Sequence, residues 1–152
     1  MVPEISNSSN RQVTNLANSF QRSNKSASWQ IAKDLPTSFL YAAKGLVYAF
    51  STQRNFRIHL CFAFCAFLLG FLLQLNNGDL AIMAVTVTCV LVLELINTAI
   101  EAAVDLAIGK RFHPLARIAK DCSAAAVLVA SISSLMIAFL LLFPALLTKL
   151  GT

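Results

Sequence analysis

The chain has 152 residues, of which 57% are hydrophobic and only 12% charged, and its mean hydropathy is +0.70. The charged share is about half that of an ordinary soluble domain, which excludes a typical soluble protein and predicts a membrane protein. The net charge of +5 does not indicate nucleic-acid binding, because the basic residues form no dense patch and no nucleic-acid motif occurs. Anionic lipid head groups at a basic cytoplasmic surface are the expected partners of this charge.

The N-terminal segment is polar and basic. Residues 1–33 are rich in Ser, Asn and Gln, hold one acid, Glu4, and show no hydrophobic periodicity. This composition predicts a disordered cytoplasmic tail over 1–34. A basic, Ser-rich segment also fits an organelle transit peptide, so an organelle membrane is an open alternative to a bacterial one.

A helical pattern begins at Pro36 and is predicted over 36–54. Its apolar face follows the i, i+3, i+4, i+7 spacing and consists of Phe39, Leu40, Ala43, Leu46, Val47 and Phe50. The stretch is too short and too polar to span a bilayer, so we expect an amphipathic helix that lies in the membrane interface. The polar residues Gln53–His59 predict a hinge after it.

Three later stretches are apolar and long enough to cross a hydrocarbon core, at about 58–75, 80–108 and 121–143. A tight turn, Asn76–Asp79, separates the first two, and a basic connection, Gly109–Lys120, separates the last two. Pro144 is expected to end or kink the third. The predicted fold class is therefore an all-α integral membrane protein with three transmembrane helices, its membrane domain covering 35–148.

Lys and Arg residues indicate the orientation. Seven precede the first span, none lies in the first loop, four lie in the second loop, and Lys149 alone follows the third span. The positive-inside rule then places the N-terminus and the second loop in the cytoplasm and the C-terminus outside.

The second span ends in an unusual polar stripe. Glu94, Asn97, Glu101 and Asp105 are spaced by 3, 4 and 4 residues. On a helix they fall within an arc of about 80°, so one face carries three acids and an amide. Glu94 is about 21 Å along the span from Leu80, inside the hydrocarbon layer, whereas Glu101 is near the cytoplasmic boundary.

Ionisable side chains inside a membrane are costly and indicate a functional site. The buried Glu94 suits a general base that takes a proton from a lipid alcohol. The wetter Glu101 suits a hard cation such as Mg²⁺. A structural polar cluster that locks the helices together is the alternative. A small cation transporter that uses the acidic stripe as its path is disfavoured, because Leu80–Leu93 contains no acid that would continue the path across the membrane.

These residues resemble a known family, the bacterial integral-membrane diacylglycerol kinases and undecaprenol kinases. E-L-I-N-T-A-I-E-A-A-V-D over Glu94–Asp105 is similar to that family's signature, and A-K-D over Ala119–Asp121 to its second short motif. The resemblance covers about 36–143. The basic loop sequence His113–Ala116 looks more like the undecaprenol branch.

The resemblance implies an ATP-dependent lipid kinase that phosphorylates diacylglycerol or undecaprenol with MgATP at the cytoplasmic face of a bacterial inner membrane. It also implies a homotrimer whose sites are shared between neighbouring subunits. The implied active-site residues are Glu94 as the base, Asn97, Asp105, Lys120 and Asp121, with Glu101 as a metal ligand.

Nucleotide binding must proceed without a Walker loop or a kinase glycine loop, neither of which occurs in the sequence. The candidates for phosphate binding are the basic residues Lys120, Arg54 and Lys110, together with Asp121 at the start of the third span. Phosphoryl transfer requires mainly positioning and charge stabilisation, so a small frame can suffice.

One position departs from the family. Gln53 stands where the family usually carries a glutamate that serves as a second metal ligand. An amide oxygen can coordinate Mg²⁺ but brings no negative charge. The alternative function is therefore a catalytically weak or inactive kinase-like membrane scaffold or lipid-binding protein.

Overall fold

The computed structural model describes residues 35–109 and 111–151 and contains four α-helices in this range. They are α1, Leu35–Thr52; α2, Arg54–Leu72; α3, Asn77–Ile108; and α4, Pro114–Leu150. Three of them, α2, α3 and α4, are long and apolar enough to cross a membrane. The predicted fold class, a short helix followed by three spanning helices, is confirmed. The predicted tail and Lys110 lie outside the described residues.

The described chain divides into two compact units between Lys44 and Gly45, within α1. In the first unit, residues 35–44 form the start of the helix, with Pro36 in its first turn, where the missing N–H costs nothing. The Lys44 ammonium lies 5.3 Å from the centroid of the Tyr41 ring. The second unit contains the remainder of α1 and the three long helices.

A single residue, Gln53, separates α1 from α2. Its backbone is extended, with φ −96° and ψ 111°, and residues 54–59 are already helical. The predicted polar hinge over 53–59 is therefore a one-residue break. The Arg57 guanidinium explains the short break, because its Nη1 donates to the carbonyls of Phe50 and Ser51 at 3.4 and 3.3 Å and so caps α1 from the first turns of α2.

The connection between α2 and α3 begins earlier than the apolar pattern suggests. The helix ends at Leu72, and Gln74, which was placed inside the first span, has a left-handed φ of 57°. The amide of Leu75 donates to the Gly70 carbonyl at 3.0 Å, which closes the helix end. Asn76 then caps α3 by accepting from the Asp79 amide at 3.0 Å, so α3 begins at Asn77.

The fourth helix is longer than the predicted span 121–143. It begins at Pro114, where proline is favoured as the first helical residue, so much of the predicted basic connection is helical. It continues through Pro144 to Leu150, so Pro144 does not end it. Pro144 has no N–H to donate to the backbone carbonyl four residues earlier, so the helix lacks one backbone hydrogen bond in an apolar part of its sequence.

The tightest packing is between α3 and α4, with α2 against α3. The most buried apolar side chains include Met83, Val90 and Val127. Many large apolar side chains on the outer faces of the three long helices stay exposed in the single chain, as expected where lipid rather than water surrounds a protein. The buried set also contains polar residues, and these mark the site: Glu94, Asn97, Thr98 and Ser123.

Candidate functional site

The polar stripe lies on the second half of α3, where Asn97 and Asp105 contact the beginning of α4. Glu94 is only 2% exposed and Asn97 is 8% exposed, whereas Glu101 is half-buried and Asp105 is exposed. Burial therefore falls from a dry end at Glu94 to a wet end at Asp105 within one chain. The Thr98 hydroxyl, also buried, donates to the Glu94 carbonyl at 2.9 Å and so needs no other partner.

Asn97 joins the stripe internally. Its Nδ2 donates to Oε1 of Glu101 at 3.1 Å, a contact that the i, i+4 spacing on a helix allows. The amide thus fixes one oxygen of the Glu101 carboxylate and leaves that group's remaining lone-pair positions for another ligand.

Two contacts tie the stripe to α4. Lys120 Nζ lies 2.5 Å from Oδ1 of Asp105, an ion pair between partly exposed side chains. Ser123 Oγ lies 2.6 Å from Oδ1 of Asn97 in a buried setting. Asp105 and Lys120 are 15 positions apart in sequence, and Asn97 and Ser123 are 26 apart. Both pairs meet because α3 and α4 are antiparallel neighbours joined by a short connection.

The structure brings predicted site residues together in two side-chain contacts, Asn97 with Glu101 and Lys120 with Asp105. Asp121 is exposed, and its Oδ2 lies 3.5 Å from Nε of Arg117, one turn earlier on the same helix. Gln53 is half-buried and Arg54 exposed at the start of α2. Within the described ranges, no hydrogen bond or ion pair joins either of them to the stripe.

Two residues near the stripe were not identifiable from the sequence. Ser123 belongs to neither motif. Its one sequence signal is that it follows Lys120 by three residues, which places both on the same side of a helix. By sequence His59 is the last residue of the predicted polar hinge. It is half-buried and close enough to Glu94 to interact with it electrostatically, as does Glu101.

An apolar groove of about 660 Å³ runs between α2, α3 and α4. Along α4 it extends from Ser131 to Leu146, about 22 Å at the rise of an α-helix. His59, Val90 and Leu91 line it as well, so this wall lies one helical turn from Glu94. The groove is therefore a hydrocarbon-lined space that approaches the buried end of the stripe.

Carboxylate oxygens are the ligands that Mg²⁺ prefers, and it is usually bound by one or two carboxylates together with substrate phosphates and water. Glu101, held by Asn97 near the wet end, fits that chemistry. Within residues 35–109 and 111–151, no group of three or more His, Cys, Asp or Glu side chains gathers that could hold a metal ion by itself.

Comparison with known proteins decides the family. Residues 40–142 match the family model described as prokaryotic diacylglycerol kinase. The chain belongs to the prokaryotic diacylglycerol kinase family. This confirms the resemblance drawn from the two motifs, and it makes the protein a lipid kinase by class.

Several bacterial members of the family are similar to this chain. A diacylglycerol kinase of Synechocystis sp. is 48% identical over 120 residues, covering 79% of this chain and 69% of that protein. An undecaprenol kinase of Bacillus subtilis is 39% identical over 107 residues, 70% of this chain and 86% of that protein. A diacylglycerol kinase of Pseudomonas aeruginosa is 37% identical over 90 residues, 59% and 72% of the two chains. Both acceptor names thus occur among similar kinases.

Proposed function

We propose that the protein transfers the γ-phosphate of MgATP to the hydroxyl of a membrane lipid, giving phosphatidic acid from diacylglycerol or undecaprenyl phosphate from undecaprenol. One observation carries this proposal. Glu94, 2% exposed, lies one helical turn from an apolar groove on one side and one turn from the Asn97–Glu101 pair on the other. A buried base between a lipid space and a polar, phosphate-compatible end is what lipid phosphorylation requires.

The groove supports a lipid acceptor. Its lining is almost entirely aliphatic and aromatic, with His59, Ser131 and Ser134 as the polar exceptions. A hydrocarbon chain laid along it would gain the burial of apolar surface without leaving polar groups unpaired. The acceptor's hydroxyl would then be at the end nearest His59 and Glu94.

Glu94 is the proposed general base. As the acceptor oxygen forms its bond to the γ-phosphorus, the Glu94 carboxylate takes the hydroxyl proton. The bond between the γ-phosphorus and the β–γ bridging oxygen breaks, and ADP leaves with that electron pair. The low exposure of Glu94 excludes water, which would otherwise compete with the lipid hydroxyl for the phosphoryl group.

Lys120 is the proposed phosphate-binding cation. Its ammonium has three N–H donors and Asp105 accepts one of them, so Asp105 orients the group while others stay available for phosphate oxygens. Asp121, Arg54 and Lys110 are proposed as further contacts of the nucleotide or its metal. An ammonium held in place before the phosphate arrives stabilises developing charge with little reorganisation.

Mg²⁺ is the proposed cofactor, with Glu101 as a ligand and Gln53 as a neutral second one. When bound, the ion would neutralise charge on the phosphate oxygens. Asn97 contributes by holding the Glu101 carboxylate in one orientation. The homotrimer that family membership suggests would let a neighbouring subunit bring Gln53 and Arg54 to a stripe other than their own.

The site is proposed to face the cytoplasm of a bacterial membrane, because ATP is there and because basic residues concentrate on that side of the predicted topology. The long apolar helices and the bacterial relatives support a bacterial membrane protein. The organelle alternative depends on the tail, which lies outside the described residues.

The test is phosphoryl transfer by the purified full chain in detergent micelles, with radiolabelled ATP, Mg²⁺ and either diacylglycerol or undecaprenol. We expect label in one lipid product at a rate at least tenfold above that with the other, since one groove rarely fits both equally well. Label in neither lipid, with folded protein, would rule out the kinase proposal. That outcome would favour the scaffold alternative, for which Gln53 in place of an acid is the specific argument.

A further inference from the structure

Ser123 occupies a position in the site that none of the motifs indicated. It lies one helical turn after Lys120 and is only 9% exposed. Its Oγ is within hydrogen-bond distance of two acceptors. One is the carbonyl of Lys120 on its own helix, at 2.9 Å, and the other is Oδ1 of Asn97 on α3, at 2.6 Å. The shorter contact crosses between helices.

The contact continues to Glu101. Asn97, itself 8% exposed, accepts from Ser123 with its Oδ1 and donates with its Nδ2 to Oε1 of Glu101 at 3.1 Å. Both sides of the amide are thus engaged. Three side chains on two helices form one chain of hydrogen bonds that ends on the carboxylate proposed to bind the metal.

The direction of this chain follows from its donors. A carboxamide has an acceptor side and a donor side, whereas an ionised carboxylate only accepts. With Ser123 donating to Oδ1, the amide must present its N–H to Glu101. Without that donor, Oδ1 of Asn97 would lose its partner on α4, and only the contact with Glu101 would hold the amide in place, so both side chains could rotate away from their present positions.

Other serines of α4 behave differently. The hydroxyl of Ser131 donates to Val127 and that of Ser133 to Val129, each to a backbone carbonyl four residues earlier on the same helix. Such bonds satisfy a hydroxyl inside an apolar segment and have no further consequence. Ser123 has a comparable backbone acceptor and nevertheless reaches a side chain on another helix.

We propose that Ser123 is a positioning residue of the kinase site, which acts on Glu101 through Asn97. This inference rests on the proposed function for its catalytic consequence, although the hydrogen-bond chain itself does not. The hydroxyl fixes the orientation of the Asn97 amide, and the amide fixes the carboxylate. The expected effect of losing the hydroxyl is therefore on binding of MgATP rather than on the proton transfer at Glu94.

The experiment compares Ser123→Ala with Ser133→Ala, which removes a hydroxyl from the same helix without touching the site. In micelles containing the full chain, the side-chain N–H₂ signals of Asn97 are followed by nitrogen-15 NMR and assigned by their loss in Asn97→Asp. Ser123→Ala should shift these signals and raise the KM for MgATP about tenfold with a smaller change in kcat, as expected for a lost buried hydrogen bond. Ser133→Ala should change neither.

Two further variants keep the test decisive. Ser123→Thr retains the hydroxyl and should keep the KM within about threefold of the wild type, and Ser123→Cys retains the volume with a weaker donor and should fall between Ser and Ala. If Ser123→Ala does not fold, the comparison of Thr with Cys still orders the effect by donor strength. Equal KM values for Thr, Cys and wild type would overturn the proposal.

A double-mutant cycle separates positioning from direct contact. In an Asn97→Ala background, Ser123→Ala should change the KM for MgATP by less than about twofold, because the residue through which it acts is gone. Full additivity would overturn the proposal, as would a lower melting temperature with unchanged KM and Asn97 signals. If the wild type phosphorylates no lipid, the proposed function fails separately, while the Asn97 signals still decide whether Ser123 orients the amide.

Discussion

The two ends of α3 contact their neighbours in different ways. Near its start, apolar side chains make the contact: Met83 is 1% exposed, and a Cβ added to Gly70 on α2 would lie 3.0 Å from its Cε. Near its end, polar side chains make it, through Ser123 to Asn97 and Lys120 to Asp105. We call these the hairpin end and the polar end.

From this difference we propose that the hairpin end serves stability and the polar end serves chemistry. Apolar packing between helices can be replaced by other apolar side chains of similar volume at modest cost. Buried polar groups must each keep a partner, so a sequence retains them only where something needs their charge or direction. The same chemical change is therefore made at two positions in each case, one of which lies at the hairpin end.

The largest effect is expected from changing one carboxylate to an amide. Glu94→Gln keeps the side chain's size but removes its ability to take a proton, so phosphorylation should fall about 10³-fold. Asp79→Asn is the matched change at the hairpin end of the same helix, where the carboxylate accepts from Asn76 Nδ2 at 2.7 Å. It should leave the rate unchanged.

Turnover in the micelle assay measures both variants, and gel filtration checks that each keeps the wild-type oligomeric state. Substantial activity in Glu94→Gln would remove Glu94 as the base. An equal loss in Asp79→Asn would show that the acids of α3 act through folding rather than through chemistry.

The next effect is expected at two lysines, each of which reaches another helix. Lys120→Met should lower the kinase rate about 10²-fold through loss of the proposed phosphate contact. Its pair with Asp105 is partly exposed, so the stability cost should stay below about 1 kcal/mol. Lys149→Met at the other end removes the donor to the Leu72 carbonyl and should reduce stability slightly without changing the rate.

Initial rates and thermal midpoints distinguish the two roles. If Lys120→Met lost stability in proportion to activity, Lys120 would be a structural cation like Lys149. Loss of activity in Lys149→Met would mean that the hairpin end also controls the site.

A smaller effect is expected from adding a carboxylate. Gln53→Glu should lower the Mg²⁺ concentration needed for half-maximal activity about threefold, because a charged oxygen would replace a neutral one at the proposed metal ligand. Gln74→Glu makes the same change in the hairpin connection and should leave the Mg²⁺ requirement unchanged. A Mg²⁺ titration at fixed ATP measures both, and equal titration curves for all three proteins would show that Gln53 is not at the metal.

The smallest effect concerns packing. Replacing a helical glycine by alanine typically gains about 0.5–1 kcal/mol. Gly45→Ala should realise this gain, since nothing lies within 4 Å of an added Cβ. At Gly70 the Cβ would meet Met83, Leu80 and Leu75 at 3.0, 3.2 and 3.3 Å, so we expect the gain to be cancelled. Thermal midpoints test this, and an equal rise in both variants would contradict tight packing at the hairpin end.

The spanning helices were predictable because their signal is local. Length and hydropathy identify an apolar helix whatever it packs against. In α3, Asn76 and Gly109 are also residue types that commonly cap the two ends of a helix. The errors were at boundaries. Residues 54–59 look like a loop by composition, yet they form the first turns of α2, and Arg57 among them caps α1.

The site was predictable in part for the same reason. The spacing of Glu94, Asn97, Glu101 and Asp105 places them on one face of any helix, with no knowledge of its neighbours. Ser123 and His59 were not predictable, because each matters through a contact with another helix. A serine in an apolar segment most often bonds its own backbone, as Ser131 does, and the sequence does not distinguish the two cases.

The sequence by itself determined the fold class, the family and the polar stripe, because hydropathy, helical periodicity and two short motifs are properties of consecutive residues. Only the tertiary structure decided what surrounds the stripe. It buried Glu94 beside an apolar groove, paired Lys120 with Asp105, and linked Ser123 through Asn97 to Glu101. These contacts depend on the register between α3 and α4, which is set by side-chain packing along the full length of both helices.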